Sequence, residues 1–147
     1  MKGGELNAAL TSAIVGIHTK HLGRGPSSAS SFHNDNLVIV LMRDVMTQVE
    51  RTIALAGNGP VVSSMRHLFQ ETMKEDFTEA VERLTGRRVV AFISGNHVDP
   101  DIAVELFILD GTPARDGSSE AVAGRETAGG AERSSSAAVS PTQPSVS

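Results

Sequence analysis

The sequence predicts an α+β fold: a four-stranded antiparallel sheet made of two β-hairpins, with amphipathic helices on one face, in the order α-β-β-α-α-β-β. Three observations predict it. Two long stretches repeat apolar residues at helical spacing and stop at Gly, whereas other apolar runs are too short for anything but strands. The strand candidates come in pairs separated by short turn-forming segments, which join antiparallel neighbours. All of this lies before residue 110, because Ile, Leu, Met and Phe stop completely at Leu109.

From Glu5 to His21 the apolar residues Leu6, Ala9, Leu10, Ala13, Ile14 and Ile17 share one helical face. Leu22-Gly23-Arg24-Gly25-Pro26 ends that helix, Gly supplying a left-handed cap and Pro blocking continuation. Ser27–Phe32 is a serine-rich strand, His33-Asn34-Asp35-Asn36 a turn, and Leu37–Met42 the strongest strand of the chain. Val45–Ala56 reads as a short helix, and Gly57-Asn58-Gly59-Pro60 breaks it, with Pro60 suited to a new first turn. The next helix carries a stripe through Val61, Met65, Leu68, Phe69, Met73, Phe77, Ala80, Val81 and Leu84. Arg66, Gln70, Lys74, Glu75, Glu79 and Glu82 are expected mostly on its solvent side, and Gly86 closes it. Arg88–Ser94 is a strand, Gly95–Asp101 a loop and Ile102–Leu109 the last strand. Alternation in that strand separates Val104, Leu106 and Ile108 from Ala103, Glu105 and Phe107.

Residues 1–110 therefore make one domain, and 111–147 a tail. The tail is built from Gly, Ala, Ser, Thr, Pro, Glu and Arg with few larger apolar residues, and is expected to be disordered because it has too little apolar area to offset its ordering entropy. Composition removes several function classes. There is no Cys among the 147 residues, which excludes disulfides, thiol catalysis and cysteine-bound metal and is in keeping with a reducing cytoplasm. A net charge of −4 and the absence of Trp and Tyr argue against nucleic-acid binding. Met1–Leu10 does not read as a signal peptide, and Leu37–Met42 is far too short to span a bilayer, so a cytoplasmic protein is expected, able to sit at the inner face of a membrane.

Three stretches carry a family resemblance. They are Gly23-Arg24-Gly25-Pro26 after the first helix; Arg66-His67-Leu68-Phe69-Gln70-Glu71-Thr72-Met73-Lys74-Glu75-Asp76-Phe77 leading into Leu84-Thr85-Gly86-Arg87-Arg88-Val89-Val90-Ala91-Phe92; and His97-Val98-Asp99-Pro100-Asp101 before Val104-Glu105-Leu106-Phe107. In this order and spacing the chain resembles the MpsC family over roughly Leu6 to Leu109. The resemblance implies a soluble accessory component of a bacterial membrane-potential-generating, cation-translocating system, one also connected with bicarbonate supply. It carries over no catalytic residue.

The candidates for ligand or partner contact are Arg24, Gly25, Asp35, Arg66, His97, Asp99 and Asp101; none is assigned to catalysis or to a metal, and no cofactor motif is present. Gly23-Arg24-Gly25-Pro26 lacks the spacing of a phosphate loop and follows a helix C-terminus, whose dipole repels anions. A helix stop is the preferred reading. The basic set His18, Lys20, His21 and Arg24 suits that dipole without any ligand, although a bicarbonate or carboxylate site there stays open. His97, Asp99 and Asp101 fall on one side of an extended segment, as metal or acid–base chemistry would want, and His33 or Asp35 would be needed to complete a metal site. The same residues also build ordinary turns, and that reading is preferred. Arg66 with Gln70, and His67 with Glu71, read as exposed helix pairs.

Three functions remain in order of preference: a non-catalytic accessory protein docking on a membrane cation or bicarbonate transport complex; an anion sensor using Arg24 or the second hairpin loop; and a metal-dependent hydrolase using His97, Asp99 and Asp101. A four-stranded sheet also leaves two edges to cover, which favours a homodimer.

Overall fold

The structure, a computed structural model, describes residues 2–114. Its elements run α1 (Gly3–Leu22), β1 (Ser28–Asn34), β2 (Leu37–Arg43), α2 (Gln48–Leu55), α3 (Gly59–Thr85), β3 (Val89–His97) and β4 (Ile102–Leu109), the order the sequence predicts. The strands pair antiparallel throughout, in the spatial order β1-β2-β4-β3. The two hairpins thus meet through β2 and β4, and their turns end up at opposite ends of the sheet.

The helices form where caps and apolar phase agree. In α1 every fourth residue, Leu6, Leu10, Ile14 and His18, is buried. The helix closes on Gly23, whose φ of 81° lies in the left-handed region and whose amide reaches the Thr19 carbonyl at 2.8 Å. Helix α2 starts later than the apolar pattern predicts. Val45 and Met46 are buried but precede Thr47, which caps the helix: its hydroxyl accepts the Glu50 amide at 3.2 Å, and the Glu50 carboxylate accepts the Thr47 amide at 2.8 Å. The 27-residue α3 carries Pro60 in its first turn and ends at Gly86, as predicted.

Helices α1 and α3 cover one face of the sheet. Between the layers lie Leu10, Ile14, Val38, Val40, Met42, Met73, Phe77, Val81, Ala103, Phe107 and Leu109, all essentially without solvent contact. Phe92 ties helix to sheet, its ring 6.2 Å from Phe77 and 5.0 Å from Phe107 between centroids.

Several local expectations are corrected. The buried side of α3 runs through Val62, Arg66, Gln70, Met73, Phe77, Ala80, Val81 and Thr85. Arg66 and Gln70 therefore point inward, whereas Val61 and Leu68 stand exposed. Phase outweighs charge here: Arg66, Gln70, Met73 and Phe77 advance by four, three and four residues and must share a face. Strand β3 continues past Ser94 to His97, so the connecting loop shrinks to Val98–Asp101, with a cis Asp99-Pro100 bond. Gly95 and Asn96 are turn formers in isolation, but Ile102–Val104 offer them a complete backbone ladder.

Beyond β4, Thr112 donates to the Asp35 carboxylate at 3.2 Å, Arg87 Nε donates to the Thr112 carbonyl, and Pro113 is buried. The remainder of the predicted tail, from residue 115, lies outside the described residues. No described helix is long and apolar enough to cross a membrane.

Candidate functional site

The main constellation of polar side chains lies inside the domain, where five elements converge on the helix-covered face of the sheet. Helix α1 supplies His18, α2 Glu50, α3 Arg66 and Gln70, β3 Ser94 and Asn96, and β4 Glu105. At its centre is Arg66, 2% exposed. Its Nη1 donates to Glu50 Oε1 at 3.2 Å and Oε2 at 3.4 Å, its Nη2 to His18 Nε2 at 3.2 Å, and its Nε to Asn96 Oδ1 at 3.4 Å. One guanidinium thereby bridges all three helices and β3. Planar geometry and five fixed donors make Arg the residue type for this task.

Each partner is held by its own local structure. Glu50 is the third residue of α2, so the carboxylate that completes the Thr47 cap also accepts Arg66. Its burial is total, and its oxygens are satisfied by Thr47 and Arg66. His18 continues the apolar row of α1 and meets Arg66, which can only donate; its Nε2 must then present a lone pair, and Nδ1 carries the proton. Burial, and next the Arg66 charge, lower the His18 pKa from 6.5 to about 4, against weaker support for the charged form from the Arg24 backbone and Glu50. Neutral imidazole is thus the form at pH 7. The Gln70 Nε2 is buried without a hydrogen-bond partner, at a cost on the order of 1–3 kcal/mol.

Glu105 sits one layer deeper on β4, 1% exposed, and accepts the Ser94 hydroxyl at 2.5 Å across the β3–β4 ladder. Burial raises its pKa from 4.5 to about 7, even though the Ser94 hydrogen bond and the Arg66 charge both favour ionisation. At neutral pH this carboxyl therefore exchanges between acid and carboxylate inside the core. The core thus holds the Arg66 guanidinium, the Glu50 carboxylate it binds, a neutral imidazole and a carboxyl raised by burial. Only the β3 members, Ser94 and Asn96, reach the partly exposed range.

The residues predicted as a site are placed elsewhere: Arg66 alone joins the buried network, and Arg24 and Asp101 meet only at the Met46 backbone. Arg24 donates to the Met46 carbonyl, tying the end of α1 to the segment before α2. A Cβ at Gly25 would lie 2.9 Å from Thr19 Oγ1, so a side chain there would have to turn the Thr19 hydroxyl aside. The basic set at the end of α1 disperses: His18 turns inward, His21 meets Asp76 of α3 at 3.0 Å, and Lys20 stays exposed. Asp35 holds the first hairpin turn with a φ of 58°. His97 Nδ1 donates to the Pro100 carbonyl at 2.9 Å, Asp99 is exposed, and Asp101 turns inward to accept the Met46 amide at 2.9 Å, with Arg51 at 3.9 Å. His33 and Asp35 cannot supplement them. Leu37 pairs with Ile108 and Arg43 with Ile102, so the two turns are separated by the length of a seven-residue strand, ~20 Å. Among the described residues no three His, Asp or Glu side chains come together as metal ligands.

Surface concavities lie along the outer side of α3, lined by residues between Glu71 and Glu82 and by Ser63, Ser64, His67 and Leu68. They do not reach the buried network. Large apolar side chains are exposed on the α2–α3 pair instead: Val49 63%, Leu55 83%, Val61 48% and Leu68 65%.

Against known families, a model described as "Na+-translocating membrane potential-generating system (MpsC)" matches residues 2–111, which is nearly the whole described domain. No curated protein and no solved structure is matched.

Proposed function

The chain belongs to the MpsC family of the Na+-translocating membrane potential-generating system, and from that premise we propose that it is a non-catalytic accessory protein that docks on a membrane-embedded partner of that system. The observation that supports this reading is the contrast between its interior and its surface. Arg66, Glu50, His18 and Glu105, the groups best suited to acid–base or anion chemistry, are sealed at 0–2% exposure. A substrate cannot reach them without opening the domain. Val49, Leu55, Val61 and Leu68, which would gain from leaving water, face outward on α2 and α3. Binding energy is available to a protein partner where chemistry is not available to a small molecule.

On this reading the Arg66 hub is a rigidifier of the docking surface. It fixes α2 against α3 through Glu50 and fixes both against α1 and the sheet. The protein works from the cytoplasmic side, peripheral to the membrane. A sedimentation assay tests it: the full chain should bind saturably to washed native membranes and lose that binding after Leu68→Glu. Equal binding to protein-free liposomes, or no membrane binding at all, would contradict the proposal.

A further inference from the structure

Helices cover only one face of the sheet, and among the described residues no element packs on the other. Strand register places Phe32, Ile39, Leu106 and Ile93 in one row across all four strands of that open face. Leu41 and Val104 continue it on the next row. Phe32 is 54% and Ile93 60% exposed. Antiparallel sheets with one solvated face normally carry polar residues there; an apolar one needs a cover.

Residues 115–147 contain no Leu, Ile, Met, Phe, Tyr or Trp. A lipid surface fits poorly, because basic side chains stand only at the ends of the face and the chain carries a net charge of −4. A second copy fits on area and on charge. Four strands at ~4.8 Å spacing and seven residues at ~3.3 Å each present roughly 400 Å² in projection. Two such corrugated faces approach the ~1,200 Å² of accessible surface at the lower end of stable dimers. Charge sits only at the ends. Arg43 lies on the last open-face row at one end. Asp35 and Asp110 lie at the other, where the Asp110 carboxylate accepts the Arg88 backbone amide at 3.2 Å.

We propose that the open sheet face is the interface of a face-to-face homodimer, with its two-fold axis running across the strands so that Arg43 of each copy meets the Asp110 end of the other. An axis along the strands would bring both Arg43 side chains to the same end of the dimer. The dimer leaves α2 and α3 free on its outer sides, so it stands independently of the membrane partner.

Sedimentation velocity of the full chain at micromolar concentration should give twice the 15.4 kDa chain mass. Ile93→Glu, at a position already more than half exposed, should give the single-chain mass with an unchanged far-ultraviolet circular dichroism spectrum. Arg43→Asp should raise the dimer Kd about tenfold, and the pair Arg43→Asp with Asp110→Arg should recover most of that loss. A wild-type monomer, a dimer indifferent to Ile93→Glu, or no recovery in the charge-swapped pair would each overturn the proposal.

Discussion

Replacing Glu105 by Gln is expected to make this protein more stable in alkaline solution than the natural chain. Glutamine keeps an oxygen for the Ser94 hydroxyl and the shape of the protonated acid, but it cannot ionise. In the wild type the folded carboxyl titrates at about 7 against an ordinary 4.5. A raised carboxyl pKa contributes stability below pH 4.5, and that stability is lost as the pH rises towards 7, because the unfolded chain gives up its proton first. At about 1.4 kcal/mol for each pH unit between the two values, the loss is about 3 kcal/mol, complete near pH 8. The position is 1% exposed, so solvent screening does not reduce it much. Urea unfolding of both proteins at pH 4, 6 and 8 measures the difference directly. The advantage of Glu105→Gln should grow by about 3 kcal/mol from pH 4 to pH 8. A difference that stays flat across this range would show that Glu105 titrates normally, and would refute the poised core carboxyl.

His18 should show the opposite sign: its pKa is lowered from 6.5 to about 4, so its neutral form stabilises the fold above pH 6.5 and that contribution, about 3 kcal/mol, is lost as the pH falls towards 4. Measured by the same urea titration, His18→Gln should remove this acid limb, and in the wild type the two opposing slopes should nearly cancel between pH 4.5 and 6.5. Arg66→Met should cost about 3–5 kcal/mol by stranding the buried Glu50 carboxylate, and Glu50→Gln in the same chain should restore part of it. Calorimetry or urea unfolding checks both; a loss under about 1 kcal/mol for Arg66→Met would contradict the hub. Thr47→Ala removes the acceptor for the Glu50 amide and should cost about 0.5–2 kcal/mol, read from the urea midpoint.

Periodicity made the architecture legible because each element carries its own local signal. The rows of α1 and α3, the unbroken Leu37–Met42 strand and the Gly stops at Gly23 and Gly86 all reflect backbone geometry that needs no distant partner. The buried network was less legible. Arg66 and Gln70 read as solvent-facing on chemistry although their phase with Met73 and Phe77 placed them inside. Thr47-Gln48-Val49-Glu50 has the spacing of a capping box, a signal that would have located the start of α2 and fixed Glu50 near a helix end. Ser94, Asn96 and Glu105 had no such signal: a polar residue on a strand is inward or outward only by register with neighbours far away in sequence. The grouping of His97, Asp99 and Asp101 rested on an extended loop, whereas Asp101 turns back to hold the Met46 amide. The open sheet face was in the alternation of β4 all along, but which of its two sides the helices would cover was a tertiary question.

Docking of this MpsC-family protein on a membrane component of the Na+-translocating system, as proposed, can be tested by capture. Affinity purification of the full chain from native membranes, in several mild detergents, tests it most directly. A membrane-embedded protein should be recovered in fixed proportion to the chain, and lost on Leu68→Glu while the fold is retained. Recovery of the chain alone in every detergent would contradict it.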